Sequence, residues 1–355
     1  MVKSFFDYFP PPRFLDMPFF GLDISPRAVR VVDLHRELGA LHLGRFGERK
    51  LVELVSPETI TKNSELKKVL QSLKREFNLK FIKASLPESA AYLFKTEVDA
   101  KLTNDEIVSE IEIHLEENVP LSGEEAVFDY HIIKRSSTKI ELTVTVLPKA
   151  IIDNYANLFN ECDLTVLSFM FQPTAISRAV IPKKDKGTYI VVNLAETESG
   201  IFVVGDGAVQ FTSTVSIGSE NLTAAIIKQF SVSPEEAEKI KREKGLIKKP
   251  DTNELYLALA NAVSVLRDEI ERVFIYWQSH KEKQGQAGER IEKIILVGRD
   301  AVMTGLKDHL TLSLKVPVEI GNVWSNAFSF DVEIPAINKD DSLDYASAIG
   351  LCLPK

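Results

Sequence analysis

A strand-turn-strand opening occurs twice in this chain, and that repetition limits the folds open to it more than any other feature. Residues 19–34 are apolar and β-branched on both sides of Ser25-Pro26-Arg27, which reads as a hairpin with further strand to about Val55. After the polar linker Lys183-Lys184-Asp185-Lys186-Gly187 the arrangement returns. Residues 189–194 and 200–204 read as strands around a polar turn, and Gly205-Asp206-Gly207 as a second tight turn. Each opening strand ends near a carboxylate or an amide, Asp23 in the first and Asn193 in the second. The echo predicts a duplicated architecture of two α/β lobes divided at the linker. Length agrees, since 355 residues suit two lobes of roughly 150 residues or more each.

Around these strands the periodicity is helical. Leu66, Val69, Leu70, Leu73 and Phe77 recur at helical spacing behind Ser64, read as the N-cap, and residues 81–86 return to strand. Thr103 with Glu106 forms a capping box ahead of Ile107, Val108, Ile111 and Leu115, in a helix that stops near Pro120. Strands at residues 126–133 and 139–147 turn through Ser136-Ser137-Thr138, a helix runs from Pro148 to about Cys162, and residues 165–171 form an apolar strand. The first lobe is therefore residues 19–186, behind a tail of residues 1–18, with residues 87–148 as a small inserted α+β subdomain. The second lobe is residues 187–355, with a mainly helical stretch at residues 225–288. There Ser233 caps a helix that starts with Pro234, and a long helix runs from Asn253 to about Ser279. Residues 281–290 read as a charged loop, residues 291–297 as a buried strand entering Gly298, and Thr304 as the cap of a helix to Leu314.

Composition excludes several functions. With 45% hydrophobic and 26% charged residues the chain can build a large core. A formal charge of −8 argues against nucleic acid, whose phosphates need a basic face. Cys162 and Cys352 match no metal spacing, and the N-terminus lacks a signal-peptide pattern, so a reducing cytoplasm is expected. No stretch approaches the ~20 apolar residues that span a bilayer; membrane association is expected to go through a partner. The leader Phe5-Phe6-Asp7-Tyr8-Phe9-Pro10-Pro11-Pro12 suggests an anchor, but its prolines bar a helix and no basic face accompanies the rings, so it reads as a tail. The sequence holds no P-loop, dinucleotide fingerprint, HExxH or GxSxG motif. His114 reads as a packing residue of its helix.

What remains is an ordered set of motifs. Gly21-Leu22-Asp23-Ile24-Ser25 followed by Val29-Arg30-Val31-Val32 resembles the first phosphate loop of the actin-like ATPases, and residues 193–199 resemble the second. Gly218-Ser219-Glu220-Asn221 resembles a glycine loop entering a helix, and Glu236-Ala237-Glu238-Lys239-Ile240-Lys241 the helix whose Glu and Lys reach ribose and adenine. Gly298-Arg299 resembles the adenosine loop. Residues 173–178 and 345–351 resemble two hinge helices, where small Ala175 and Gly350 allow close contact; the second returns to the first lobe at residues 342–353. The general physics is that turn amides bind anions and a carboxylate positions Mg²⁺. Spacing i, i+3 puts Glu238 and Lys241 on one helix face, which equally suits a solvated capping arrangement.

The set covers residues 21–351, and residues 84–130 are similar to the inserted subdomain of the type IV pilus assembly PilM family. The resemblance implies a duplicated, ribonuclease H-like actin fold. It implies ATP and Mg²⁺ as cofactors, Mg²⁺ near Asp23, and a cleft formed by Asp23, Ser25, Arg27, Asn193, Ala195, Thr197, Gly218, Ser219, Glu238, Lys241, Gly298 and Arg299. It also implies a scaffold that binds the N-terminal tail of a PilN-like inner-membrane protein beside the insert, within the complex that contains the pilus assembly ATPase, with homo-oligomers conceivable. FtsA-like cell-division ATPases and GspL-like type II secretion components are alternatives, which normally carry a C-terminal amphipathic helix or a membrane span. The sequence departs from the pattern at the ligand: Asn193 replaces an acid, and Ala195, Ser25, Ser219 and Arg299 replace glycines. Slow or absent ATP turnover is expected, with no catalytic base. Arg27 reads either as a phosphate partner or as an exposed turn residue.

Overall fold

Two five-stranded sheets with the same strand order form the framework of this computed structural model, which describes residues 17–37, 39–283 and 290–354. The aromatic leader and residues 284–289 of the expected charged loop lie outside the described residues. The first sheet contains β1 (Phe20–Ser25), β2 (Ala28–Glu37), β3 (Ala40–Lys50), β4 (Phe81–Leu86) and β8 (Thr165–Phe171), in the order β3-β2-β1-β4-β8. Strands β1 to β3 form an antiparallel meander, and β4 and β8 add in parallel. The second sheet repeats this with β9 (Thr188–Leu194), β10 (Ser199–Gly205), β11 (Ala208–Val215), β12 (Ile291–Val297) and β13 (Val318–Ile320). Every residue of β1 and β10 is buried, as sheets covered on both faces require.

In the first lobe, α1 (Ser64–Phe77) buries Leu66, Leu70 and Leu73 against the sheet. Its cap is Asn63, not Ser64: the Asn63 side chain accepts from Leu66 N. The insert comprises β5 (Tyr92–Asp99), α2 (Asn104–Asn118), β6 (Ala126–Arg135) and β7 (Lys139–Pro148), with strands ordered β5-β7-β6 over its own core of Ile107, Ile111, Leu115 and Val144. The Thr103–Glu106 capping box is present. Helix α3 (Lys149–Glu161) returns the chain to β8, and α4 (Gln172–Val180) leads to the second lobe.

Although the insert belongs to the first lobe by sequence, it docks on the second. Thr143 Oγ1 donates to Val209 O of the edge strand β11 at 3.1 Å. Lys95 reaches Gln210 and stands 4.6 Å from the Trp277 ring centroid.

The second lobe continues with α5 (Ser219–Phe230), α6 (Pro234–Glu243), α7 (Asn253–Lys283), α8 (Leu306–Leu314), α9 (Lys339–Ser342) and α10 (Ala346–Cys352). Helix α7 extends past the expected Ser279, so residues 281–283 are helical. Thr304 does not cap α8; the N-cap is Gly305 at φ 82°, and Thr304 Oγ1 donates to Arg242 O. Helices α4 and α10 pack side by side, and a Cβ on Gly350 would fall 1.7 Å from Ala175 O. Only glycine permits that approach. Cys352 is sealed beneath: its Sγ accepts from Gly21 N and faces Val32 O, and burial pushes its thiol up to about 12.

Candidate functional site

The cleft between the sheets is built from one rung of the first lobe. Asp23, Arg30 and Glu48 are partners across β1, β2 and β3, and so share a face. Asp23 is 2% exposed, and its Oδ1 accepts from Ser85 Oγ at 2.6 Å and Gln172 Nε2 at 3.1 Å. Opposite stand Asn193 at the end of β9, the turn that follows it, and the start of α5. Asp23, Ser25, Asn193, Ala195, Ser219, Gly298 and Arg299 line one recess. The structure thus brings these seven expected residues, from both halves of the sequence, to one recess, while Arg27, Thr197, Gly218, Glu238 and Lys241 lie outside its lining.

That recess is filled by the protein. Arg30 is 4% exposed and lies 2.6 Å from Glu196, 2.8 Å from Glu48 and 3.8 Å from Asp344. Arg299 binds Asp344 at 2.7 Å and Glu48 at 3.2 Å. About 30 Å³ remains beside this cluster, room for little more than a water molecule. Burial alone would lower the pKa of the Arg30 guanidinium; Glu196, Asp344 and Glu48 more than reverse this and raise it. For Glu196 burial acts upward, yet Arg30 holds its carboxyl below the usual range. For Asp344 burial prevails over Arg30 and Arg299, and its carboxyl is raised.

Several of the amides around this recess are engaged as well. Pro26 has no N–H, and Ala28 N donates to Ser25 Oγ. Ser219 N and Glu220 N, at the start of α5, donate to Ala195 O and Glu196 O at 3.0 and 2.9 Å. Gly218 packs its backbone on Glu196 and Thr197, where a Cβ would fall 2.5 Å from Glu196 O. Thr197 therefore faces Gly218. Gly298, at φ 85°, abuts Leu194 O in the same way.

The other end of the cleft is open. A cavity of about 600 Å³ is lined by Leu51, Thr223, Ile227, Pro234, Glu238 and Arg242 and bordered by Glu48, Glu196 and Arg299 of the ion cluster, a size suited to a small organic ligand. Glu238 lies at its wall, its acidity raised by Lys241 and Thr223 against the effect of burial. Lys241 does not reach the cavity: it is fully buried, and its ammonium binds Ser219 Oγ at 2.8 Å, Thr223 Oγ1 at 2.9 Å, Glu238 at 2.7 Å and Asp300 at 3.1 Å. It ties α6 to α5 and to the loop after β12. Arg27 stands in the turn between β1 and β2, where its guanidinium bridges the rim to Glu220 at 2.8 Å and to Val52 O.

Sequence reading missed Arg30, Glu48, Gln172 and Asp344 as cleft residues, and Glu196 as the centre of its turn. A signal existed for Arg30. A charged residue inside Ala28-Val29-Arg30-Val31-Val32 must be buried with its strand, and buried charges are paired.

With this geometry, the chain is similar to several solved structures. A structure described as the PilM-PilN type IV pilus biogenesis complex matches at TM-score 0.77 and 17% identity, over 95% of this chain and 98% of that one. The ethanolamine utilization protein EutJ from Carboxydothermus hydrogenoformans matches at TM-score 0.53 and 14% identity, over 97% and 90%. MreB5 of Spiroplasma citri bound to ADP matches at TM-score 0.52 and 11% identity, over 93% and 94%. These likenesses and the duplicated sheets give the actin-like two-lobe fold. The family model of the type IV pilus assembly protein PilM matches residues 21–355, so the fold, the insert and the sequence agree that this chain belongs to the PilM family.

Proposed function

We propose that the chain is an actin-like scaffold of type IV pilus assembly that holds the N-terminal tail of a PilN-like membrane protein, with a degenerate nucleotide cleft. The observation that carries this reading is a groove where the insert meets both lobes. Its volume is about 360 Å³, and it is lined by His131 of β6, Arg178 of α4, Ile181, Asp206 and Gly207 of the β10–β11 turn, and Leu353. Strand β6 is an edge strand, paired with β7 on one side. An extended tail can add to such an edge while its side chains enter the groove. Among the described residues no helix is long and apolar enough to cross a membrane, so the scaffold works at the inner face of the membrane through this partner, alongside the assembly ATPase.

Nucleotide belongs to the reading in reduced form. The open cavity has room for a nucleoside, but the phosphate end does not fit Mg-ATP: Asn193 offers no charge, Asp23 Oδ1 is held by Ser85 and Gln172, and Arg30 with Glu196 occupies the space. Calorimetry with a synthetic partner tail and the full chain tests the scaffold. Binding that weakens about tenfold, roughly 1.4 kcal/mol, in His131→Glu supports the groove. Affinity unchanged in both His131→Glu and Asp206→Trp would remove it.

A further inference from the structure

We infer that the ion cluster at the filled end of the cleft is a clasp that holds the two lobes closed without nucleotide. The inference rests on the reading of that end as unfit for Mg-ATP. Three arginine-glutamate pairs cross between the lobes: Arg30 to Glu196 at 2.6 Å, Arg299 to Glu48 at 3.2 Å, and Arg27 to Glu220 at 2.8 Å. Each joins the β1–β3 meander to the second lobe, at the turn after β9, the segment after β12 or the first turn of α5. The Arg30 pair is the most buried, the Arg299 pair is partly buried, and the Arg27 pair stands more exposed at the rim.

The placement makes the clasp stiff. Arg30 is held by strand register between Asp23 and Glu48, so its guanidinium cannot follow the second lobe if that lobe swings away. Asp344 sits just before α10, the helix that packs on α4 through Gly350 and Ala175. The cluster therefore ties the lobes near the place where the chain returns to the first lobe. A buried charge separated from its partner loses far more than an exposed one, because it has little water to replace the contact. Opening must break the crossing pairs together. With two guanidinium groups against the carboxylates of Glu48, Glu196 and Asp344, the cluster also carries a formal excess of negative charge, which opposes an incoming polyphosphate.

Spin labels at Lys68→Cys in α1 and Lys239→Cys in α6, both exposed positions, report the separation of the lobes by pulsed dipolar spectroscopy. The full chain is expected to give one narrow distance distribution, unchanged by Mg-ATP or AMP. Glu196→Gln combined with Arg299→Gln is expected to shift the distribution to longer distances and broaden it, while far-UV circular dichroism and a cooperative melt persist. If the double variant does not fold, Arg299→Gln alone decides by the same readout, since Arg299 is partly exposed. A variant distribution equal to the parent's, or a broad parent distribution that narrows only with Mg-ATP, overturns the clasp. Calorimetry on the same samples separates the two readings. Tight Mg-ATP binding with an unchanged distance removes the unfit-cleft reading and leaves the clasp; no binding with a broad parent distribution does the reverse.

Discussion

Arg30 of the first lobe and Glu196 of the second meet across the cleft at 2.6 Å, with Glu48 on the same guanidinium at 2.8 Å. Removing the cation takes the partner from Glu196 and leaves Glu48 with Arg299 alone. Arg30→Met is therefore expected to destabilise the chain by about 3–5 kcal/mol, read from urea unfolding. A loss below about 1 kcal/mol, the usual range for exposed pairs, would show that water reaches the cluster freely.

Phosphate release from Mg-ATP is expected to stay below about 1 per second, the low end of typical enzymes. Asn193→Asp alone is not expected to raise it, because Arg30 and Glu196 still fill the phosphate end. Asn193→Asp with Glu196→Ala frees space, supplies a metal-facing carboxylate and leaves Arg30 without one partner. Steady-state assays on the single and double variants check the order. Recovery by Asn193→Asp alone would assign the defect to the metal.

Glu88 predicts a pH effect. Burial, then the nearby Glu198 carboxylate, raise its pKa well above the ordinary 4.5. One of its oxygens, Oε1, is buried without a hydrogen-bond partner. A carboxyl whose folded pKa is raised favours folding when protonated. The penalty is absent below 4.5, grows as pH rises from there towards the folded pKa, and is constant above it. Glu88→Gln is expected to match the parent near pH 4 and to exceed its melting temperature at neutral pH. Equal melting temperatures at both would contradict the assignment.

Gly350→Ala tests the helix contact. The new methyl would lie 1.7 Å from Ala175 O, a backbone atom that cannot move without shifting α4. The expected cost is about 3 kcal/mol, at the upper end of overpacking effects, or failure to fold. A loss near zero in urea unfolding would mean that α4 and α10 separate easily.

The insert-to-lobe contact is testable by Thr143→Val, which leaves Val209 O without its donor. A destabilisation of about 1–3 kcal/mol is expected, together with faster amide exchange in β11. Unchanged exchange there would mean that the insert does not brace this edge.

Most elements were legible because their signals are local. The β1–β2 hairpin follows from two β-branched runs around Ser25-Pro26-Arg27, the Thr103–Glu106 box from a four-residue pattern, and β8 from one apolar run. The duplicated order was also visible, since Asp23 and Asn193 lie towards the ends of equivalent strands. Local signals failed where two candidates stood side by side. Asn63 and Ser64 are both good caps, and the helix start selected the first.

The tertiary structure decided what each residue meets. Lys241 has the helical spacing of a ligand contact, but the approach of α5 and Asp300 buried it completely. Arg299 and Arg27 found carboxylates across the cleft, and Arg30 found Glu196, which lies 166 positions away. By sequence the insert belongs to the first lobe; its sheet packs on β11 of the second. Periodicity and capping record the forces between residues a few positions apart, so the sequence by itself determined the elements, their order and the repeat. Burial and charge pairing depend on which faces are pressed together, and that choice is made by long-range packing, where water is removed and each charge must find its partner.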